Sequence, residues 1–280
     1  MFRDITLGQY YPTESVIHSL DPRVKLFSAF IFIISLFLFD DVPGFIFISV
    51  CMAGFIALSR VPVSFMLRGL RSIVMLLMIA ALFNMFLTPG RKLFSVWVFT
   101  VTDVGLKNAV LMSIRMIYLI VGTSVMTLTT TPNALTNGLE KSMNPFSKIG
   151  VPVHEIAMMM SIALRFIPIL IEETDKIMKA QMARGADFET GGLIKRAKAM
   201  VPLLVPLFVS AFRRAGDLAL AMEARCYNGG EGRTKMKPLT YARRDRIAYA
   251  AVLLYLAVLI VWRVVRRGLA GPGFPVFVHL

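Results

Sequence analysis

Several apolar runs that are long enough to cross a lipid bilayer limit how this chain can fold. A helix needs about 20 mostly apolar residues to cross the roughly 30 Å hydrocarbon core of a membrane. Five runs approach that length, at residues 24–39, 42–59, 72–88, 109–128 and 247–262. Backbone polar groups inside a bilayer must find partners within their own segment, which favours helices. The sequence therefore predicts an all-α, polytopic helical membrane protein with about five transmembrane helices.

The composition agrees with a membrane environment and argues against nucleic acid as a partner. Hydrophobic residues make up 56% of the 280 residues, and the mean hydropathy is +0.68, which exceeds what one soluble core requires. The formal net charge is +14, but residues 132–246 contain 18 Lys/Arg and 11 Asp/Glu. A nucleic-acid-binding arm would carry mainly one sign of charge. We therefore expect the lipid bilayer as a partner and no nucleic acid.

Charged loops orient the predicted spans, because cytoplasmic loops of membrane proteins retain lysine and arginine. The loop 59–72 carries three arginines, whereas residues 40–44 at the other end of the second span are acidic. This pattern predicts a cytoplasmic N-terminus, an outside connection at 89–105 and a cytoplasmic region after residue 131. The fifth span then places the C-terminus outside, although three arginines follow that span.

Three regions follow from this arrangement of spans. We predict an N-terminal transmembrane domain of about four spans at residues 1–131, a cytoplasmic helical coupling domain at 132–245, and a C-terminal transmembrane helix and tail at 246–280. Thr131 and Pro132 mark the start of the middle region, because threonine can cap a helix and proline is favoured at its first position.

The middle region contains a long helical segment that runs from residue 150 to about residue 182. Its apolar stretch 156–171 is an alternative candidate for a transmembrane span, but Arg165 and Pro168 interrupt it and it is short for that purpose. We therefore assign this segment to the cytoplasm and keep the span as the alternative.

A second long segment, residues 193–225, has an apolar centre that we expect to be too short to cross the membrane. Pro202 and Pro206 each remove a backbone donor within this centre. They predict a kinked helix that lies under the membrane or crosses its partner helix.

Each of these two segments ends in an arginine between small residues, as Ala183-Arg184-Gly185 and as Ala224-Arg225-Cys226. Unsatisfied carbonyls and the negative end of the helix dipole favour a cation at such an end, so one interpretation is that each arginine completes its own helix. The repetition favours a second interpretation, in which two uncrowded guanidinium groups bind carboxylates of a partner.

These paired motifs resemble the signature of the transmembrane T component of energy-coupling factor (ECF) transporters, which are bacterial vitamin and metal-ion importers. Further stretches that resemble this family are 19-SLDPRVKL-26, 130-TTPNALTNGLEK-141, 151–189 and 202–230. The sequence departs from the family at Cys226, where glycine is most common. The resemblance implies a multi-pass protein of the bacterial cell membrane with a cytoplasmic N-terminus and coupling domain.

The resemblance also implies the partners and the activity. Two coupling helices dock into two ABC-type ATPase subunits, and the same helices carry a membrane-embedded substrate-binding S component. The residues expected to couple to the ATPases are those of the two motifs: Ala183, Arg184, Gly185, Ala224, Arg225 and Cys226. An S component, or several interchangeable ones, could contact the adaptable methionines of the first segment: Met158, Met159, Met160, Met178 and Met182. Ordinary core or lipid contact is the alternative for these methionines.

Catalytic and cofactor motifs are missing from the sequence. It contains no G-x-x-x-x-G-K-[ST] loop for ATP, and His154-Glu155 lacks a second histidine four residues after the first. We therefore expect a non-catalytic subunit with no metal and no cofactor of its own, whose partners bind ATP and Mg. His154-Glu155 is interpreted as a helix start.

Arg115 is the one charge well inside a predicted span, where an ionisable side chain must face protein or water. We favour a structural ion pair or interface contact for it over a substrate site. Two other functions remain as alternatives: a self-contained secondary transporter, which needs midplane ionisable groups, and a membrane-anchored scaffold without a transport role.

Overall fold

The fold is helical, as predicted, in a computed structural model that describes residues 10–39, 42–71, 73–89, 92–96, 99–188, 192–229, 236 and 238–269. The N-terminus, which the sequence predicts to be cytoplasmic, and the C-terminal tail beyond Leu269 lie outside these residues. The helices are α1 (Pro22–Leu38), α2 (Val42–Ser59), α3 (Val63–Arg71), α4 (Val74–Leu87), α5 (Asp103–Thr129), α6 (Pro132–Ser147), α7 (Val153–Ala183), α8 (Leu193–Glu223) and α9 (Arg243–Leu269).

A short antiparallel hairpin, which the sequence did not predict, lies in the connection expected outside the membrane. Its strands are β1 (Lys92–Val96) and β2 (Phe99–Thr102), with Val96 paired to Phe99. The hairpin leads directly into α5, where the Thr102 hydroxyl accepts a hydrogen bond from the Gly105 N–H at 3.0 Å and caps the helix.

Among the residues that the structure describes, five helices are long and apolar enough to cross a membrane: α2, α5, α7, α8 and α9. Three of them coincide with predicted spans. The first predicted span is the 17-residue α1 and the third is the 14-residue α4, and both are shorter than these five. The pair α3 and α4, separated by a short break, would count as a sixth candidate.

Helices α7 and α8 correct one expectation about length. Each has 31 residues and contains a sufficiently apolar window, so neither is too short to cross a bilayer. The expectation failed because it judged the apolar centres alone, whereas α7 continues for roughly three turns after residue 171 and α8 extends beyond its centre at both ends. Pro168, Pro202 and Pro206 all lie inside these continuous helices. The cytoplasmic position of both helices remains a prediction.

The chain divides into two compact units. Residues Leu139–Pro238 form one, which we call the inserted unit, and the described residues before and after it form the other, the main unit. The first division falls within α6, between Gly138 and Leu139. The inserted unit contains α7 and α8, and the main unit contains α1 to α5 and α9.

The main unit has two buried apolar clusters around α5 and α1. One joins α2, α3 and α5 through Met52, Met66 and Val125, and the other joins α1, α2 and α9 through Leu36 and Leu259. Burial of such side chains is worth about 1.5–3 kcal/mol each in water. Within a membrane, where lipid tails are as apolar as these side chains, close van der Waals packing favours the association of the helices instead.

Close packing between α1 and α5 depends on Gly122. A Cβ atom at this position would lie 2.5 Å from Cε1 of Phe32, which is closer than real Cβ contacts come. The absence of a side chain therefore allows the two helices to approach, as small residues do at helix interfaces in membranes.

Arg115 makes a structural contact within the main unit. Its Nη2 donates a hydrogen bond to the carbonyl oxygen of Phe39, the C-cap of α1, at 2.8 Å. The rings of Phe37 and Phe45 lie 5.5 and 5.7 Å from its guanidinium carbon. This buried side chain ties the end of α1 to α5, which supports the structural interpretation over a substrate site.

Candidate functional site

The end of α7 forms a complete Schellman motif around the first arginine motif. The N–H of Gly185 donates to Met182 O and the N–H of Ala186 donates to Gln181 O, both at 3.0 Å. Gly185 has a φ of +87°, the left-handed conformation that this helix end requires. Arg184 is therefore the C-cap residue, and the chain turns away immediately after it.

The end of α8 has the same hydrogen-bond pattern around the second arginine motif. The N–H of Cys226 donates to Glu223 O at 2.9 Å, and the N–H of Tyr227 donates to Met222 O at 3.1 Å. Cys226 takes the left-handed position with a φ of +54°. The replacement of glycine by cysteine thus leaves the backbone motif intact, and Arg225 occupies the position that Arg184 has in α7.

Both arginine side chains are exposed. Within the part of the chain that the structure describes, neither Arg184 nor Arg225 makes a side-chain hydrogen bond or an ion pair. The last-turn carbonyl oxygens that accept bonds do so from backbone N–H groups of the Schellman motifs. Each guanidinium therefore keeps its five donors available for another molecule.

An ion pair joins α7 to α8 inside the inserted unit. Nη2 of Arg214 donates to Oε2 of Glu173 at 3.0 Å, and both side chains are partly exposed. Such a pair contributes roughly 0–1 kcal/mol. It links the two helices that carry the arginines, although neither of its members was predicted as a site residue.

An open apolar groove of about 380 Å³ lies between the first half of α7 and the last third of α8. All of its lining residues are apolar: Met159, Ile162, Ala163, Phe166, Ala215, Leu218, Ala219 and Met222. The alanines keep the groove open, because larger side chains at these positions would fill it. The spacing Ala215-x-x-x-Ala219 places small residues on one face of α8, a pattern that the sequence prediction did not use.

The predicted methionine surface does not form one cluster. Met159 lines the groove, and Met158 and Met160 are next to it in sequence. Met178 and Met182 lie in the last turns of the same continuous helix, which puts Met178 about 30 Å along the axis from Met158 at 1.5 Å per residue. Met159, Met160 and Met182 are exposed.

His154 lies in the first turn of α7, so the prediction of a helix start is confirmed. Its Nδ1 lies 3.2 Å from Oε1 of Glu140 on α6. No group of three or more His, Cys, Asp and Glu side chains in the described residues could hold a metal ion.

Comparisons with known proteins identify the family. Residues 13–236 match the family profile CbiQ, described as cobalt transport protein. The chain is 53% identical over 267 residues to the energy-coupling factor transporter transmembrane protein EcfT of Clostridium kluyveri, with 94% of this chain and 98% of that protein covered.

Two further relatives carry the same description. EcfT of Thermosediminibacter oceani is 52% identical over 249 residues, covering 89% of this chain and 94% of its own. EcfT of Bacillus subtilis is 46% identical over 260 residues, covering 92% and 98%. With helices suited to crossing a membrane and a match over most of its length, the chain belongs to the CbiQ family, as a transmembrane component of energy-coupling factor transporters.

Proposed function

We propose that this subunit transmits ATP hydrolysis on two ABC-type ATPase subunits to a substrate-binding S component in the bacterial cell membrane. The observation that carries the proposal is the pair of exposed arginines at two helix ends with the same backbone geometry. Neither is used by the described part of the chain itself. The subunit is non-catalytic, and ATP and Mg bind to the partner ATPases.

The chemistry of an arginine suits this role. Its planar fork can donate two parallel hydrogen bonds to one carboxylate, which gives both energy and a fixed orientation. In each motif the chain turns sharply after the arginine, so the helix end can enter a cleft. The chain thus provides one docking element for each ATPase, at the motifs Ala183-Arg184-Gly185 and Ala224-Arg225-Cys226.

The exposed apolar surface of α7 and α8 supports the second part of the proposal. The groove between them and the exposed Met159 and Met160 offer an adaptable apolar contact for an S component. The transported substrate, a vitamin or a metal ion, is bound by that S component and not by this chain.

Orientation can be tested through the exposed Cys226 and the half-buried Cys51 of α2, which are both free. The proposal places Cys226 in the cytoplasm. A membrane-impermeant thiol reagent should therefore leave it unlabelled in right-side-out cells and label it in inside-out vesicles, with Cys51→Ala as the background. Labelling of Cys226 in intact cells would contradict the proposed orientation and indicate the opposite one.

The central experiment replaces both arginines with alanine in the complete transporter. If each is desolvated against a partner carboxylate, each replacement costs about 2–5 kcal/mol of association. If each only completes its own helix dipole, the loss is about 0.3–1 kcal/mol of local stability. ATP-driven uptake and the amount of co-purified ATPase distinguish these two results.

A matched control removes two other exposed cations from the same helices, Lys179 and Arg213. The double variant Lys179→Ala, Arg213→Ala should retain uptake, because neither residue belongs to an arginine motif or to the Schellman turn that follows each helix. Near-normal uptake by a membrane-inserted Arg184→Ala, Arg225→Ala variant would contradict the proposed function.

A further inference from the structure

Residues 21–25, the sequence Asp-Pro-Arg-Val-Lys at the start of α1, contact both chain segments that connect the main unit to the inserted unit. The chain enters the inserted unit through the end of α5 and the first turns of α6. It returns at Leu239 and continues into α9. All contacts described below lie within the main unit, and we call residues 21–25 the junction segment.

Arg23 holds the returning chain. Its Nε and Nη2 donate to Oδ1 and Oδ2 of Asp21 at 3.1 and 2.9 Å, which fixes the plane of the guanidinium. Nη2 also donates to Leu239 O at 3.3 Å, and the ring of Tyr241 lies 3.8 Å from the guanidinium carbon. One side chain thus binds the returning chain by a hydrogen bond and by a cation–π contact.

Asp245 completes this contact from the side of α9. Its Oδ1 accepts a hydrogen bond from the Asp21 N–H at 2.8 Å, and its Oδ2 accepts one from the Ala242 N–H at 2.7 Å. The second bond caps the first turn of α9. Only 2% of Asp245 is exposed, so both bonds are shielded from water.

Lys25 holds the entering chain. Its Nζ donates to Thr129 O, in the last residue of α5, at 2.7 Å and to His18 O at 3.2 Å. The side chain is 8% exposed, and a lysine at this place satisfies carbonyl groups that a helix end leaves without partners. The α5 end that leads to α6 is therefore tied to the junction segment.

Close packing adds a second contact with the entering chain. A Cβ atom at Gly138, the last residue of α6 that belongs to the main unit, would lie 2.8 Å from Cβ of Pro22. Only glycine lets α6 pass this close. The five residues of the junction segment thus contact the entering chain through Lys25 and Pro22, and the returning chain through Arg23 and Asp21.

We propose that the junction segment is a positioning element for energy coupling, which transmits movement of the inserted unit to the membrane helices. This inference rests on the proposed function, because it assumes that the inserted unit receives the movement of the ATPases. Two chains that are held at one place cannot slide independently, so a displacement of the inserted unit is passed on to α1, α5 and α9. Without these contacts, ATP hydrolysis would continue with less transport.

The test measures ATP hydrolysis and substrate uptake in the same proteoliposomes, with the complete transporter. The variants are Arg23→Gln, Arg23→Lys, Lys25→Met and Gly138→Ala, and the matched controls are Arg60→Gln and Lys107→Met, whose side chains are exposed. We expect uptake per ATP to fall at least about fivefold in Arg23→Gln and Lys25→Met, the lower end of typical coupling between sites. Arg23→Lys should retain more uptake per ATP than Arg23→Gln, and the control variants should have the same uptake per ATP as the unmodified protein.

The outcomes separate this inference from a merely structural role and from the proposed function. Unchanged uptake per ATP in assembled variants would overturn the inference, and so would loss of assembly in every variant, since the segment would then only hold the fold together. Gly138→Ala keeps all charges, so it tests the packing contact between α6 and Pro22 independently of the hydrogen bonds. If Arg184→Ala, Arg225→Ala retains uptake, the proposed function fails, whatever the junction variants do.

Discussion

The two arginine-bearing helix ends have the same backbone geometry but differ in the residue that takes the left-handed conformation. At the end of α7 the left-handed residue is Gly185, with a φ of +87°, and at the end of α8 it is Cys226, with a φ of +54°. A left-handed conformation costs a residue with a Cβ atom roughly 1–2 kcal/mol, whereas glycine adopts it freely.

The comparison indicates that the hydrogen-bond pattern of the helix end, rather than glycine itself, determines where the arginine lies. At both ends two backbone N–H groups bind carbonyls of the last turn at 2.9–3.1 Å. The strain at Cys226 is tolerated because these bonds satisfy carbonyl groups that would have no hydrogen-bond partner at a frayed helix end. Equal geometry leads us to expect equal function from the two ends.

The largest expected effect tests this equality directly. Arg184→Ala and Arg225→Ala, made separately, should each weaken ATPase association by about 2–5 kcal/mol, because in the proposed docking each replacement leaves a partner carboxylate without its guanidinium. The measurement is the amount of ATPase that co-purifies with each variant, together with uptake. If one arginine proves essential and the other dispensable, the two ends are not equivalent.

A smaller effect is expected for Gly185→Ala. An added Cβ would meet no atom within 4 Å, so the cost comes only from the positive φ. We expect destabilisation by roughly 1 kcal/mol and a lower midpoint of thermal unfolding. The matched control is Gly216→Ala inside α8, where an added Cβ also meets nothing, and it should stabilise by roughly 0.5–1 kcal/mol. Equal shifts in both variants would contradict the strain argument.

Much of this arrangement could be predicted from local signals. Proline and glycine mark helix boundaries, so the segments expected at 150–182 and 193–225 appear as α7 and α8 with shifts of a few residues. The position of the arginines at the helix ends followed from the same signals. A left-handed Cys226 had no such signal, because cysteine has no preference for that conformation.

Contacts between distant segments could not be predicted. The groove between α7 and α8 depends on which faces of two helices meet, and the hydrophobic pattern of one helix does not determine that. The same holds for the bond from Asp21 to Asp245, which joins residues 224 positions apart. The local sequence around either residue does not indicate the other as its partner.

The reverse substitution at the second helix end should have a smaller effect of opposite sign. Cys226→Gly removes the left-handed penalty but adds the entropy cost of glycine, which leaves a net stabilisation of roughly 0.5–1 kcal/mol. Thermal unfolding should show a higher midpoint, with uptake unchanged because Arg225 keeps its position. Cys226→Ala serves as the control, since it removes the thiol and retains the Cβ. A stabilisation of the same size in Cys226→Ala would show that the thiol, and not the backbone, is responsible.

The smallest expected effect concerns a third helix end, that of α5, which is held by a segment containing a histidine. The Tyr11 N–H donates to Leu128 O at 2.9 Å, and Tyr11 O lies 3.0 Å from Nε2 of His18. Burial lowers the pKa of His18 below its ordinary value of 6.5, and the positive charge of Lys25 acts in the same direction.

Because the folded protein disfavours the charged form of His18, the unfolded chain binds the proton more readily. The contribution of His18 to stability is therefore complete above about pH 6.5 and decreases as the pH falls below that value. Amide hydrogen exchange, corrected for intrinsic rates, should show weaker protection at the end of α5 at about pH 5.5 than at about pH 7.5. Gly185 and Ala186, at the exposed end of α7, should show no such difference. His18→Gln should remove the pH dependence at α5, and its persistence in that variant would assign the effect to another group.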